Sequence, residues 1–408
     1  MKNRVLILIL ALMSMLGPLS IDAFLPGLPA IAAHFAVTMS AAQQALSIYL
    51  FAYAFMVLFY GTLSDSFGRR PVVIIAITIY TFATIGAGMS PSLGWLLFFR
   101  WLQGMSAGAG NVIGVAIVGD LFTGAEAQRM MSYISMVFGV APAVAPILGG
   151  WLMTAFGWRA IFGFIALFSI LLLVTCLRSL PESLATADRH PLHLKAIVLN
   201  YWRVARHAQF LFRCISLALT FTGAMVYVGC APSYLLDVLH LTATQYGWLF
   251  LPLIGGMTLG SWVAASASHR IPARTLILAG FLIMGISIVV SALYHGLYAV
   301  RVPWAIIPLA TYSFGMSIGS AAMTLSAMEL FPNARGLASS FQNFAFMILF
   351  AILSGFICPF LFGSGFKMSL AGVAGYLLSL TFWLLGRRET EESKISIAAD
   401  GNEIAATS

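Results

Sequence analysis

Residues 42–90 read AQQALSIYLFAYAFMVLFYGTLSDSFGRRPVVIIAITIYTFATIGAGMS. Two apolar runs flank a short polar loop at 61–71. Each run has about 20 residues, enough to cross the hydrocarbon core of a bilayer as one helix. The same rhythm continues outward in both directions. Runs lie near 5–28, 42–61, 71–90, 93–118, 130–153, 158–178, 210–232, 246–267, 274–294, 303–327, 336–359 and 366–386, giving twelve candidate membrane helices. The composition agrees, since 61% of the 408 residues are hydrophobic and 8% charged. The mean hydropathy is +0.96. So few charges cannot cover a water-soluble surface, which excludes a soluble enzyme, a nucleic-acid binder and a disordered chain. An outer-membrane barrel needs strands of about 10 alternating residues, and the runs here are continuous.

Most loops are very short, such as Ser90-Pro91-Ser92 and Phe156-Gly157. The exception is the polar, basic stretch 181–209. It separates an N-terminal six-helix bundle (1–180) from a C-terminal one (210–386), which a tail that reads as disordered follows (387–408). Within the linker, Leu194, Ile197, Val198, Tyr201, Trp202 and Val204 fit a helical stripe among basic residues. That suits an amphipathic helix on the inner membrane face, or a plain linker. Lys2 and Arg4 precede the first run as in a signal peptide. No small-residue cleavage site follows, so the run is read as a retained first helix. With the N-terminus cytoplasmic, seventeen Lys and Arg residues fall inside and only Arg159, Arg301 and Lys367 outside. The positive-inside rule then places both termini in the cytoplasm.

Cys176, Cys214, Cys230 and Cys358 all lie in or beside apolar runs, and none forms a C-x-x-C pair. Neither a disulfide framework nor a zinc site is expected. His34, His240, His269 and His295 show no metal spacing and read as interfacial. No metal is expected. No G-x-x-x-x-G-K-[ST] loop is present, so no ATP hydrolysis is expected, and no cofactor is expected.

In the loop Gly61-Thr62-Leu63-Ser64-Asp65-Ser66-Phe67-Gly68-Arg69-Arg70-Pro71, Gly61 and Gly68 allow close approach and a tight turn. Asp65 faces Arg69 and Arg70 and can clip helices together at the inner face. The fourth run carries Arg100-Trp101-Leu102-Gln103-Gly104, and an arginine inside hydrocarbon is a functional hypothesis by default. The fifth carries Gly139, Pro142, Pro146, Gly149 and Gly150. Its prolines disturb the helix ladder, and its small residues let another helix pack closely.

These three runs resemble the signature loop, the R-x-x-Q-G motif and the antiporter motif of the major facilitator superfamily. Ser20-Ile21-Asp22-Ala23-Phe24-Leu25-Pro26-Gly27-Leu28-Pro29 resembles the D-x-Y-L-P-x-L-P stretch of its bicyclomycin-resistance drug:proton antiporters, with Phe24 in the tyrosine's place. Leu330 to Gly336 adds a weaker match in the second half. The resemblance implies an all-α membrane protein of twelve helices in two pseudo-symmetric bundles. It implies a cavity near the midplane, alternating access and a bacterial inner membrane, with the lipid bilayer, protons and a small molecule as partners. No nucleic acid is expected, and the protein is expected to be a monomer. The antiporter motif implies an exporter, of small amphipathic drugs or of one endogenous metabolite such as a siderophore, sugar or amino-acid derivative.

Asp22 is the only acid well inside a run. It lies about 25 Å along the first helix, at a depth compatible with Arg100. A desolvated carboxylate prefers to be neutral and a nearby cation favours its charged form, so Asp22 is the candidate proton carrier and Arg100 its modulator. Asp120 reads as part of a gate at the inner surface. Asn111 is about three turns after Arg100, so both share one face of the fourth run, and if Arg100 faces the cavity Asn111 does too. Tyr49, Tyr53, Met225, Tyr227, Met316, Asn343 and Phe346 join Asn111 as candidate substrate contacts, because aromatic and methionine side chains repack around varied shapes.

Overall fold

A computed structural model describes residues 2–189, 192, 194–331 and 335–406. The expected match at residues 332–334 lies outside the described residues. The N-terminal half holds α1 (Lys2–Asp22), α2 (Leu28–His34), α3 (Met39–Phe67), α4 (Arg69–Gly88), α5 (Leu93–Ala107), α6 (Ala109–Leu121), α7 (Gly124–Phe156) and α8 (Trp158–Ser179). A linker helix α9 (Leu194–Arg206) leads to α10 (Ala208–Thr220), α11 (Thr222–Gly229), α12 (Gly247–Ala267), α13 (Ala273–Leu297), α14 (Ile307–Met328), α15 (Arg335–Ile352), α16 (Cys358–Leu361) and α17 (Gly365–Ala406). No strand occurs among the described residues.

Ten helical stretches are long and apolar enough to cross a membrane, and α10 with α11, bent by 46°, makes an eleventh. The remaining expected run is α14, whose serines, threonines and glycines hold its hydropathy below that of the others. Many bulky apolar side chains point outward, among them Phe82, Trp151, Leu282 and Phe360. That is the surface a bilayer requires, because lipid is as apolar as leucine. α17 runs on to Ala406 and so covers a tail that the composition marks as disordered.

Local chemistry explains the turns. Thr38 caps α3 by accepting from the Ala41 amide at 3.2 Å. α3 stops at Gly68, whose φ of +97° is a left-handed conformation that favours glycine. The linker helix forms as its periodicity predicts. Val204 packs with Phe210, Cys214 and Ala338, while Val198 and Trp202 stay exposed. The Tyr201 hydroxyl donates to the Leu58 carbonyl at 2.9 Å and ties the linker to α3. His295 departs from its interfacial reading. It is buried at the end of α13, because Tyr234 offers its ring a polar partner.

The two halves close on each other at the end away from the linker. Gln43 donates to the Gly229 carbonyl at 2.9 Å and to Ser354 at 2.8 Å. Gln44 donates to the Gly355 carbonyl at 2.9 Å, and Ser47 to the Ala351 carbonyl at 2.7 Å. α7 meets the start of the second half so closely that a Cβ at Gly150 would lie 1.9 Å from the Ala243 carbonyl oxygen. At the linker end the halves part around a cavity.

Gly150→Val should therefore oppose the far-side closure. Overpacking of this kind costs about 1–3 kcal/mol, a factor of about five or more in a two-state population. All four native cysteines are buried, so a cysteine at Asn343, in the cavity wall, reports cleanly. Its labelling by an impermeant maleimide from the linker side should fall in the Gly150→Val background.

Candidate functional site

Arg100 is fully buried in the N-terminal half. Its Nε donates to the Ala45 carbonyl at 3.1 Å and its Nη1 to Gln103 Oε1 at 2.6 Å. The guanidinium carbon lies 4.5 Å from the Phe24 ring centroid and 4.3 Å from that of Tyr49. A planar cation between aromatic faces gains from their quadrupoles, and the fork geometry suits arginine and not lysine. Gln103 passes the network on, donating to Thr84 Oγ1 at 2.8 Å and to Ser20 at 3.5 Å. Ser20 in turn bonds the Tyr80 hydroxyl. Nη2 of Arg100 finds no hydrogen-bond partner among the described residues. Asp22 ends α1, is 5% exposed, and stands two residues before Phe24. No ion pair joins Asp22 to Arg100. The cation is held by carbonyl, amide and aromatic groups.

A cavity of about 880 Å³ lies between the halves. Tyr53, Asn111 and Phe138 face it from the N-terminal half. Met257, Ser317, Ser320, Gln342, Asn343 and Phe346 face it from the other. Glu329 is the acid in its wall, at the linker end. Of the candidate substrate contacts, the structure thus brings together Tyr53, Asn111, Asn343 and Phe346. Tyr49 packs under Arg100, Met225 and Met316 sit in cores, and Tyr227 bonds Ser369 at 2.7 Å. Arg100 and Asn111 share the span Leu93–Leu121, whose helix has a one-residue break at Gly108 in helical backbone. Arg100 is buried against Phe24 and Tyr49, and Asn111 alone of the two faces the cavity.

A third group gathers at the linker end. Arg69 pairs with Asp65 at 2.5 Å and with Asp120 at 3.0 Å, and donates to Ser64 at 2.7 Å. Ser183 donates to Asp120 at 2.7 Å. Arg70 turns to the Leu177 carbonyl at 2.8 Å. Glu182 accepts from the backbone amides of Arg69 at 3.0 Å and Arg70 at 3.3 Å, and pairs with Arg189 at 3.6 Å. An anion there complements the positive end of the α4 dipole. The sequence reading passed over Glu182, whose only signal is an acid after Pro181 at the end of a span. Gly61 opens onto the cleft between α3 and α15. In α7, Pro146 and Gly149 are buried while Gly139 is exposed beyond Pro142. A Cβ at Gly149 would lie 2.2 Å from the Ala23 carbonyl oxygen, one residue from Asp22.

The profile of the Major Facilitator Superfamily matches residues 10–355. The chain belongs to that superfamily. It is a membrane transporter with no enzymatic role. A bicyclomycin resistance protein homolog of Haemophilus influenzae is 28% identical over 92% of this chain and 96% of its own. Multidrug resistance protein D of Escherichia coli is 28% identical over 94% and 96%. Multidrug resistance protein MdtM of Salmonella typhimurium is 26% identical over 94% and 93%. These relatives agree with the subfamily resemblance. Among solved structures, a peptide transporter bound to alafosfalin superposes with a TM-score of 0.76 at 15% identity, covering 94% of each chain. An inward-facing bacterial Spinster homolog gives 0.72 at 16%, covering 95% and 97%. Both show the fold.

Two predictions follow from this geometry. Arg100→Lys keeps the charge but cannot stack on both rings while reaching Ala45 and Gln103, so transport should fall more than about tenfold, roughly 1.4 kcal/mol, at unchanged membrane yield. At the linker end, Asp120→Asn weakens Arg69 and Ser183 together, whereas Asp65→Asn weakens Arg69 alone. Charge-assisted bonds contribute about 1.5–3 kcal/mol each, so melting in detergent should drop further for Asp120→Asn.

Proposed function

We propose that the protein exports small amphipathic drugs across the bacterial inner membrane in exchange for protons, by alternating access. The observation that carries this reading is the near full-length similarity to proteins named for bicyclomycin and multidrug resistance. The cavity supports it, being walled by apolar, amide and hydroxyl groups, with one acid at its mouth. Such a wall favours neutral or weakly charged cargo over dications.

With the basic linker cytoplasmic, as the positive-inside rule requires, the described state is open inward and sealed outward. Both termini then lie inside. Tyr53, Asn111, Asn343 and Phe346 contact cargo in this state; Tyr49, Met225, Tyr227 and Met316 support the wall from behind. Asp22 carries the proton and Arg100 sets how readily it is released. A carboxylate buried without a paired cation favours its neutral form, so rearrangement of the Arg100 network or admission of water favours ionisation. Gly149 and Gly150 transmit closure, because α7 touches both the Asp22 segment and the second half. Asp65, Arg69 and Asp120 hold the N-terminal half rigid at its inner end while it rocks. No metal or cofactor takes part, and the functional unit is the monomer.

Everted membrane vesicles with an imposed gradient, acid inside, test this. A drug from a panel should dissipate the gradient in wild-type vesicles and fail to do so in Asp22→Asn vesicles. Dissipation in both would move the proton site elsewhere. No response to any drug, with a response to a siderophore, sugar or amino-acid derivative, would replace drugs by a dedicated metabolite.

A further inference from the structure

The second half contains a buried titratable group that the proposed proton path does not use. His295, in the last turn of α13, is 8% exposed. Its Nδ1 lies 2.8 Å from the Ser291 carbonyl oxygen, and its Nε2 lies 3.0 Å from the Tyr234 hydroxyl. A carbonyl only accepts, so in the neutral ring Nδ1 carries the hydrogen and Nε2 accepts from Tyr234.

The same hydroxyl also lies 3.3 Å from the Ala305 carbonyl oxygen. This second acceptor matters when a proton arrives. Nε2 then becomes a donor to the Tyr234 oxygen, and the tyrosine hydrogen turns to Ala305. Every donor keeps an acceptor in both states. On the other ring edge, Ser291 and Ser369 hydroxyls lie 3.5 and 3.3 Å from Nδ1 and 3.1 Å from each other. Nδ1 keeps its hydrogen in both states, so protonation leaves this edge undisturbed. A histidine buried only for packing needs one set of partners, and this one has two.

The surroundings fix what protonation does. Tyr227 on α11 and Tyr294 on α13 present aromatic rings to His295, and α17 packs so tightly that a Cβ at Gly365 would lie 2.3 Å from Cδ2. Asp237, on the same corner as Tyr234, accepts from Ser233 at 2.8 Å. Lys367 and Arg301 on the neighbouring segments are exposed. No carboxylate lies within ion-pair distance of His295 among the described residues. The charged ring is therefore held by hydrogen bonds alone, and it gains from any state that admits water. The corner that holds Tyr234 starts at Ser233, four residues after Gly229, whose carbonyl takes the Gln43 bond of the far-side seal.

We propose that His295 is a second proton-binding site, in the C-terminal half and reached from the far face, and that its protonation favours opening of the seal through Tyr234. The claim needs neither drug export nor Asp22, and both readouts below are independent of export.

The first test is an NMR titration of histidine-labelled protein in nanodiscs, with His295→Gln to assign one of seven imidazoles. The expected signal shows the Nδ1–H tautomer at high pH and converts to imidazolium on acidification. A signal still neutral at the acid end overturns the site. The second test uses the cysteine at Asn343 and an impermeant maleimide added at the far face. Labelling, normalised at each pH to a fully exposed cysteine because the thiolate is the reactive form, should rise several-fold on acidification in the His295 background and clearly less in His295→Gln. An unchanged pH profile in His295→Gln overturns the coupling. Should His295→Gln fail to fold, Tyr234→Phe replaces it. Removing the acceptor for the charged ring should move the titration to lower pH, and an unmoved titration overturns the relay.

Discussion

A permanent cation sits where neither water nor a carboxylate reaches it, and the N-terminal half is organised around that fact. Arg100 must be satisfied by what surrounds it, because an unpaired charge in a dry interior is costly. Two helices and one turn answer. α3 supplies the Ala45 carbonyl and the Tyr49 ring, α5 supplies Gln103, and the segment after α1 supplies Phe24. Through Gln103, Thr84 and Ser20, α4 and α1 are drawn in as well. Each helix that touches the guanidinium is thereby tied to the others at one depth. Asp22 ends the helix that leads into this clamp, which puts a protonatable group where a small rearrangement alters its surroundings.

The second half is built on weaker ties. Its polar interior is a hydroxyl cluster, Tyr227 with Ser291 and Ser369, linked to His295 and Tyr234. Its first span bends by 46° between α10 and α11, and π-helical turns occur at Ser233–Val238 and Leu353–Ile357. Such turns often accompany functional sites, and both adjoin the residues that bond Gln43 and Gln44. The seal between the halves therefore joins a rigid face to a pliable one. Its bonds are neutral amide and hydroxyl contacts, which exchange with water at little net cost and so suit a surface that must open and close.

The apolar runs and the loop 61–71 made the fold legible, because a helix in lipid must bury its own backbone polar groups and little else can cross. The charge cluster at the linker end was legible for the same reason: Asp65, Arg69 and Asp120 are charges confined to short loops and helix ends, with few partners to choose from. The cavity was harder. Tyr49 and Tyr53 are one turn apart, yet Tyr49 supports the arginine while Tyr53 faces the opening. Met225 and Met316 belong to helix packing, which uses the same residue types as a pocket does. Asn111 was placed by a shared face with Arg100, and it reaches the cavity while Arg100 is buried against Phe24 and Tyr49. Glu182 and His295 depend on partners far away in the chain, and no local pattern marks them.

The break at Gly108 has an evolutionary side. It lets one span carry two duties on separate pieces, the charge on α5 and the cavity wall on α6. Substitutions in the cavity wall on α6 need not disturb the residues that bond Arg100 on α5. A lineage can thus reshape its cavity while keeping the buried arginine and its partners. That modularity within a single helix gives selection a route to the diverse substrate ranges found on one shared scaffold.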